Sequence, residues 1–296
     1  MRKLIRSIIV GLIITLAALF AGLYYRNYIR TQRTTAYKFV PRAEKTIKIP
    51  EGWTNQDIAD YLAKLGPWPS ADFLRLVGSA QANYADSAKA ITPDASSTDF
   101  TKQFSFLADK PAQASLEGYL FPDTYRVYAS SSAAEIITKL LTNFDQKLTP
   151  QMRDDIKSQG KTIYDILIMA SIIEKEAPIN YATGDNRDAK IISGIFWRRL
   201  ARGQALQSDA TVSYILHDNK TQHSGADLTI DSPYNTYKYA GLPPGPICNP
   251  GLLAIEAAIY PASSSYDYFL TAPGTGQVIY ARTYEQHLQN KYKYLP

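Results

Sequence analysis

From Ser7 to Tyr25 the chain runs for nineteen residues, SIIVGLIITLAALFAGLYY, without a charge. At a rise of about 1.5 Å per residue, a helix of that length nearly matches a hydrocarbon layer of about 30 Å. One transmembrane helix, with a short cytoplasmic tip before it, is therefore expected over residues 1–25. Tyr24, Tyr25 and Tyr28 stand where an aromatic belt would form. A cleaved signal peptide would need a shorter apolar core and a small-residue cleavage site, which the following YYRNYIRTQR lacks. Arg2, Lys3, Arg6 and the amino terminus precede the helix, while Arg26, Arg30 and Arg33 follow it. That balance leans slightly toward a cytoplasmic N-terminus. Because nearly all of the chain follows the helix and no second apolar run returns it, the body is expected outside the inner (cytoplasmic) membrane, on a single-pass anchor.

The net charge of +5 has to be divided before it means anything. Nine of the 32 bases, but only one of the 27 acids, Glu44, lie in the first 45 residues. The remaining 251 residues hold 23 bases and 26 acids, a net of −3. The basic character belongs to the anchor, and nucleic-acid binding fits that division poorly. A single cysteine, Cys248, excludes an internal disulfide and any multi-cysteine metal site. The three histidines, His217, His223 and His287, show no HExxH spacing, and no GxSxG, Walker A or Rossmann pattern occurs. No metal and no cofactor are expected. The 22 tyrosines suit wet grooves and sugar faces as well as half-buried cores, and packing accounts for most of them.

The body reads as α+β. Residues 26–44 are polar and basic and read as a linker. In KTIKIPEGWTNQDIADYLAKLG a short strand around Ile47 and Ile49, a Pro-Glu-Gly turn and a helix capped by Thr54 follow one another. SADFLRLVG adds a second short helix capped by Ser70. Strand, turn and helix of this size resemble a LysM-like module, so 45–115 is expected to be a small α+β subdomain, with 79–113 as a surface insertion or mixed loop. Residues 116–296 form a larger mixed α/β domain. An extended segment or strand pair is expected around Pro122, then helices over 133–148, 150–160, 162–177, 187–203 and 208–218. A Pro-Gly loop over 232–251, a helix stopped by Pro261, a hairpin turning at GTG and a closing helix complete it.

ASIIEKEA, residues 170–177, concentrates charge at the end of the most apolar of these helices. Apolar residues surround most of that helix, so it should be buried. Pro178 should end it after Ala177. Glu174 and Glu176 then lie in the last turn, at the negative end of the helix dipole, which disfavours a carboxylate by a few tenths to about 1 kcal/mol. Desolvation adds to this, and both effects raise a carboxyl pKa toward that of a general acid. Two residues on a helix are about 200° apart, so the glutamates cannot act as a pair on one atom. Periodicity barely chooses between them, although the small Ala170 and Ser171 leave room beside Glu174. AGLPPGPICNPG, with four prolines and three glycines, is rigid enough for a binding wall, and Tyr234, Asn235 and Tyr237 precede it.

LEGYLFPDTY, ASIIEKEA, LQSDATVSY, SPYNTYKYAGLPPGPICNPG and AIEAAIYPA occur in that order between residues 116 and 262. Together they closely resemble the YceG-like, membrane-anchored endolytic murein transglycosylases. The resemblance covers 116–296 well, and His287 matches it, whereas QVIYARTY departs from the His or Phe usual in the second strand of the final hairpin. It implies an α+β protein with one transmembrane helix, a LysM-like subdomain and a YceG-like catalytic domain. It also implies cleavage of the MurNAc–GlcNAc β-1,4 bond in nascent peptidoglycan strands, leaving 1,6-anhydroMurNAc ends and terminating elongation. The family's catalytic glutamate maps onto Glu174, and Glu117, Tyr119, Gln207, Asp209, Asn235 and Tyr237 become candidates for lining the groove. Peptidoglycan strands, the cytoplasmic membrane and peptidoglycan synthases are the implied partners. An inactive peptidoglycan-binding scaffold and a hydrolytic muramidase are the competing functions. Product mass separates them, since a muramidase leaves reducing ends heavier by one water and a scaffold leaves none.

Overall fold

The computed structural model describes residues 1–35, 42–78, 99–218, 220 and 223–295, and it divides into two units, 1–43 and 44–296. The first unit is α1 (Arg2–Thr35), whose stretch Arg2–Thr31 is long and apolar enough to cross a membrane. The helix continues ten residues past the expected membrane span, so the polar stretch expected as linker is helical to Thr35. Polarity removes the apolar face but not the helix propensity of Arg and Gln.

The second unit begins with β1 (Glu44–Ile49), in which Ile47 and Ile49 alternate inward. A turn leads to α2 (Asn55–Leu65), where Thr54 and Asp57 form a reciprocal capping box. In α3 (Ser70–Val77) the N-cap is Pro69 rather than the expected Ser70, whose hydroxyl instead donates to Asp60 at 2.8 Å. The expected surface loop over 79–113 lies outside the described residues as far as 98. From 99 onward it is a mixed loop, with most of its residues exposed and its large apolar side chains turned inward. Two short 3₁₀ turns bury Phe100, Phe104, Phe106 and Leu107, an aromatic content too large to leave in water.

Of the extended segment or strand pair expected around Pro122, the structure has the former, one strand β2 (Asp123–Tyr128). Its partner is β1, antiparallel, with Ile47 opposite Tyr125 and Ile49 opposite Asp123. The sheet therefore joins residues from the two sides of position 115. Then follow α4 (Ala133–Lys147), α5 (Pro150–Ser158), α6 (Ile163–Glu176), α7 (Arg187–Ala201), α8 (Asp209–Leu216) and α9 (Leu252–Ile259). The antiparallel hairpin β3 (Tyr268–Thr271) and β4 (Val278–Ala281) and helix α10 (Tyr284–Tyr294) end the chain.

Helix α6 is the axis of this unit. Nine of the ten residues from Tyr164 to Ile173 are buried, all but Asp165, and α5, α7, α8 and α9 pack around it. The Pro-Gly loop is laid along the same helix and is itself mostly buried. Tyr164 donates to the Pro244 carbonyl at 2.8 Å, and the Ile247 amide donates to Ser171 Oγ at 3.0 Å. Gly118, at φ +88°, lets the chain pass Pro246, against which a Cβ would come to 2.7 Å.

Asn249 ties the loop to the rest. Its Oδ1 accepts from the Gly118 and Leu120 amides, both at 2.9 Å, and its Nδ2 donates to the Trp53 carbonyl, Asn55 Oδ1 and Glu117 Oε1. Its backbone exchanges bonds with the turn before α2: Asn249 N to Trp53 O at 2.8 Å and Gly52 N to Asn249 O at 2.9 Å. Three distant stretches of chain thus meet on one fully buried amide side chain.

Asn249→Ala should destabilise the fold by on the order of 3 kcal/mol, because it orphans the buried amides of Gly118 and Leu120. Urea unfolding of the detergent-solubilised chain measures this, and a loss under 1 kcal/mol would contradict it. Burial pushes the Glu117 carboxyl from 4.5 up to about 8 against its bond from the Asn55 amide, with Asp57 adding to the rise and Lys175 opposing it. An acid raised in the folded state keeps a proton that the unfolded chain releases, so stability declines as pH rises from about 4.5 to about 8. In Glu117→Gln that decline should be shallower, read from unfolding midpoints taken across the same window.

Candidate active site

Thr162 and Asp165 cap the start of α6 reciprocally, and the Ala177 amide closes its end on the Ile173 carbonyl before Pro178. This fixes which residues face which neighbour in the last turn. Glu174 points toward the start of α9 and the turn before α2. Its Oε2 accepts from the Tyr181 hydroxyl at 2.5 Å and from the Gly251 amide at 3.0 Å. Gly52 lies on the same side, with a Cβ there 3.5 Å from both Glu174 Cγ and Lys175 Nζ. Burial raises the Glu174 carboxyl above its ordinary range. The bonds from Tyr181 and Gly251 oppose that rise, Glu51 adds to it and Lys175 weakly opposes it.

Beside this group lies a cleft of about 270 Å³, lined by Lys48, Glu51, Phe121, Asp123, Tyr181 and Leu252 among others. Tyr181 touches both the cleft and the Glu174 carboxyl. The cleft mixes apolar side chains with charged and hydroxyl groups, the composition that an amphipathic sugar face requires.

Glu176 faces the other way. Its Oε1 accepts from the Ser208 hydroxyl and, at 3.3 Å, from the Ala210 amide in the first turn of α8. Ser208 is the N-cap position, yet its hydroxyl makes no cap bond, and the glutamate from α6 performs that task instead. Burial again raises the carboxyl, against the Ser208 and Ala210 bonds.

The other residues expected at the groove divide into two sets. Gln207, Asp209 and Tyr237 gather on the Glu176 side. Gln207 is exposed, at φ +55°, with its amide bound to the Thr236 carbonyl, and Tyr237 donates to Asp209 Oδ1 at 3.1 Å. Asn235 is fully buried and holds its own loop, donating to the Leu228 and Ile230 carbonyls and accepting from the Tyr237 amide. Asp209 also lies 3.5 Å from His223 Nδ1.

Glu117 and Tyr119 do not line a groove. Glu117 is 1% exposed at the Asn249 node, and Tyr119 is fully buried against Phe106, Phe144 and Tyr164. Neither offers a face to a sugar. His287 stacks on Tyr268 with centroids 5.3 Å apart, and burial lowers its pKa. The rigid Pro-Gly loop is a buried crossover rather than a wall, and its contribution to Glu174 is one backbone amide, from Gly251.

Sequence reasoning missed Tyr181, Glu51 and Gly251. Glu51 and Gly251 had a signal, since each sits in a Pro-Gly turn whose stiffness demands a reason. Tyr181 had none beyond following a helix stop. Among the described residues no group of three or more His, Cys, Asp or Glu is placed to hold a metal ion.

The chain is similar to several known proteins. A murein transglycosylase named as endolytic, from Bacillus subtilis strain 168, is 38% identical over 180 residues, 61% of this chain and 48% of the relative. One of the same name from Streptococcus pneumoniae D39 is 34% identical over 251 residues, 83% of this chain and 44% of the relative. The chain thus spans about half the length of the curated relatives it matches. A crystal structure of a YceG-like protein from Listeria monocytogenes matches with a TM-score of 0.67 at 36% identity, over 83% of this chain and 76% of that one. The family model described as YceG-like matches residues 8–293, and the chain belongs to the YceG-like family.

Proposed function

We propose that the protein is an endolytic lytic transglycosylase that cleaves the MurNAc–GlcNAc β-1,4 bond of nascent peptidoglycan strands. The observation that carries this reading is Glu174, a carboxyl made more basic by burial, fixed at the end of α6 and joined through Tyr181 to an open cleft. Its likeness to relatives named endolytic murein transglycosylase supports the same assignment.

In this mechanism the protonated Glu174 gives its proton to the glycosidic oxygen as the C1–O bond breaks. The resulting carboxylate then takes the proton of the C6 hydroxyl, whose oxygen bonds to C1 and closes the 1,6-anhydro ring. The proton is returned, and no water is consumed. One carboxyl suffices because the nucleophile is part of the substrate and already close to C1. Glu176 serves the fold at this site by capping α8.

One observation favours the muramidase as a second reading. Glu51 and Asp123 line the same cleft, and either could activate a water opposite Glu174. No observation favours the scaffold reading in the same way.

The LysM-like reading of 45–115 also stands as a proposal. The order β1, α2, α3 and its closure by β2 support a small sugar-binding module that presents Lys48 and Glu51 to the cleft. The segment 116–296 is then the catalytic portion. With α1 as a single-pass anchor and the N-terminus cytoplasmic, the site works outside the inner membrane, where strands emerge from peptidoglycan synthases.

Glu174→Gln should abolish cleavage of isolated glycan strands, a loss of at least about a thousandfold. Glu176→Gln should fold less stably but still leave anhydro ends. Glu51→Gln should also leave anhydro ends. It should move the high-pH limb of the activity profile to lower pH, because removing the neighbouring charge lowers the Glu174 pKa. Mass spectrometry of the products decides the matter. Reducing ends, together with an inactive Glu51→Gln, would establish the muramidase instead.

A further inference from the structure

Two hydrogen-bond donors converge on a single oxygen of Glu174. The Tyr181 hydroxyl reaches Oε2 at 2.5 Å and the Gly251 amide reaches the same atom at 3.0 Å, while Oε1 accepts from none of the described residues. We propose that Tyr181 and the Gly251 amide together fix the Glu174 carboxyl so that Oε1 is the oxygen that delivers and recovers the proton, which makes Tyr181 a positioning residue for the reaction. This rests on the lytic reading of Glu174 given above.

The local chain is built to hold Tyr181 in place. Pro178 ends α6, and residues 178–186 turn back with Asn180 and Asp185 exchanging both backbone bonds. Asn180 Oδ1 accepts from the Ala182 and Thr183 amides, which stiffens the turn around the tyrosine. The ring then lies on Gly251, where a Cβ would come to 2.3 Å from the hydroxyl oxygen. Only glycine permits that approach. Gly251 also precedes α9, so its amide points from the positive end of a helix toward the carboxylate.

The titratable groups around Glu174 are Glu51 from the turn before α2, Lys175 from α6 itself, Tyr181 from the following turn and Cys248 from the Pro-Gly loop. Burial, with the Glu174 charge and hydrogen bond behind it, pushes Tyr181 ionisation far up, so its hydroxyl remains a donor throughout the working range. A donor to Oε2 stabilises the ionised carboxylate. It therefore helps the group to part with its proton and to wait, correctly turned, for the next one.

The test uses the detergent-solubilised full chain with carbon-13-labelled glutamate, in which the Glu174 carboxyl signal is the one absent from Glu174→Gln. In Tyr181→Phe the Glu174 pKa should rise, and the high-pH limb of kcat/KM should move up with it. At the pH optimum kcat should fall roughly tenfold while KM changes by less than about twofold, since orientation rather than binding is lost. Gly251→Ala, whose methyl group displaces the intact tyrosine, should shift the pKa in the same direction. A Glu174 pKa that is unchanged in Tyr181→Phe overturns the positioning role. The titration needs no substrate, so that result is distinct from a Glu174→Gln variant that still cleaves, which would overturn the lytic reading itself.

Discussion

The side chain of Asn249 is the constraint on which the site depends. One amide group satisfies the turn at 118–120, the turn at 53–55 and the carboxyl of Glu117, and of these partners the Gly118 and Leu120 amides, Asn55 and Glu117 are buried away from water. Two residues on, Gly251 delivers its amide to Glu174 and starts α9. The position of a donor to Glu174 is thus inherited from a knot in the interior. A buried, fully satisfied polar network of this kind specifies one arrangement strongly, because any alternative leaves unpaired groups in a low dielectric.

The end of α6 distributes its two glutamates to different tasks. Their separation of about 200° around the helix sends Glu174 toward the cleft side and Glu176 toward α8. Both carboxyls are raised by burial, and both carry two donors on one oxygen. What distinguishes them is the surroundings. The partners of Glu176 are a helix start and its cap position, whereas Tyr181, the partner of Glu174, opens onto the cleft. A perturbed pKa alone would not have separated them, since structural carboxyls are perturbed too.

Much of the helical fold was legible because capping and periodicity act locally. Thr54 caps α2 as its position suggests and Pro178 stops α6 where it should, although Ser70 does not cap α3. What was not legible depended on long-range pairing. Nothing near Pro122 reveals that β2 pairs with β1 some eighty residues earlier, and nothing near Phe104 or Phe106 reveals that a polar stretch contributes to the core. The site followed the same division. The helix and its two glutamates could be read from sequence, but Tyr119 and Glu117 look like groove residues until burial is known. Tyr181 looks like any other tyrosine until it is seen to bond to Glu174.

The central claim is that a lone carboxyl works with a nucleophile carried by the substrate. Cleavage of glycan strands in oxygen-18 water tests it most directly, by mass spectrometry of the newly formed ends. The account predicts anhydro ends with no heavy oxygen at any cleaved bond. One oxygen-18 per cleaved bond, found on reducing ends, would contradict it.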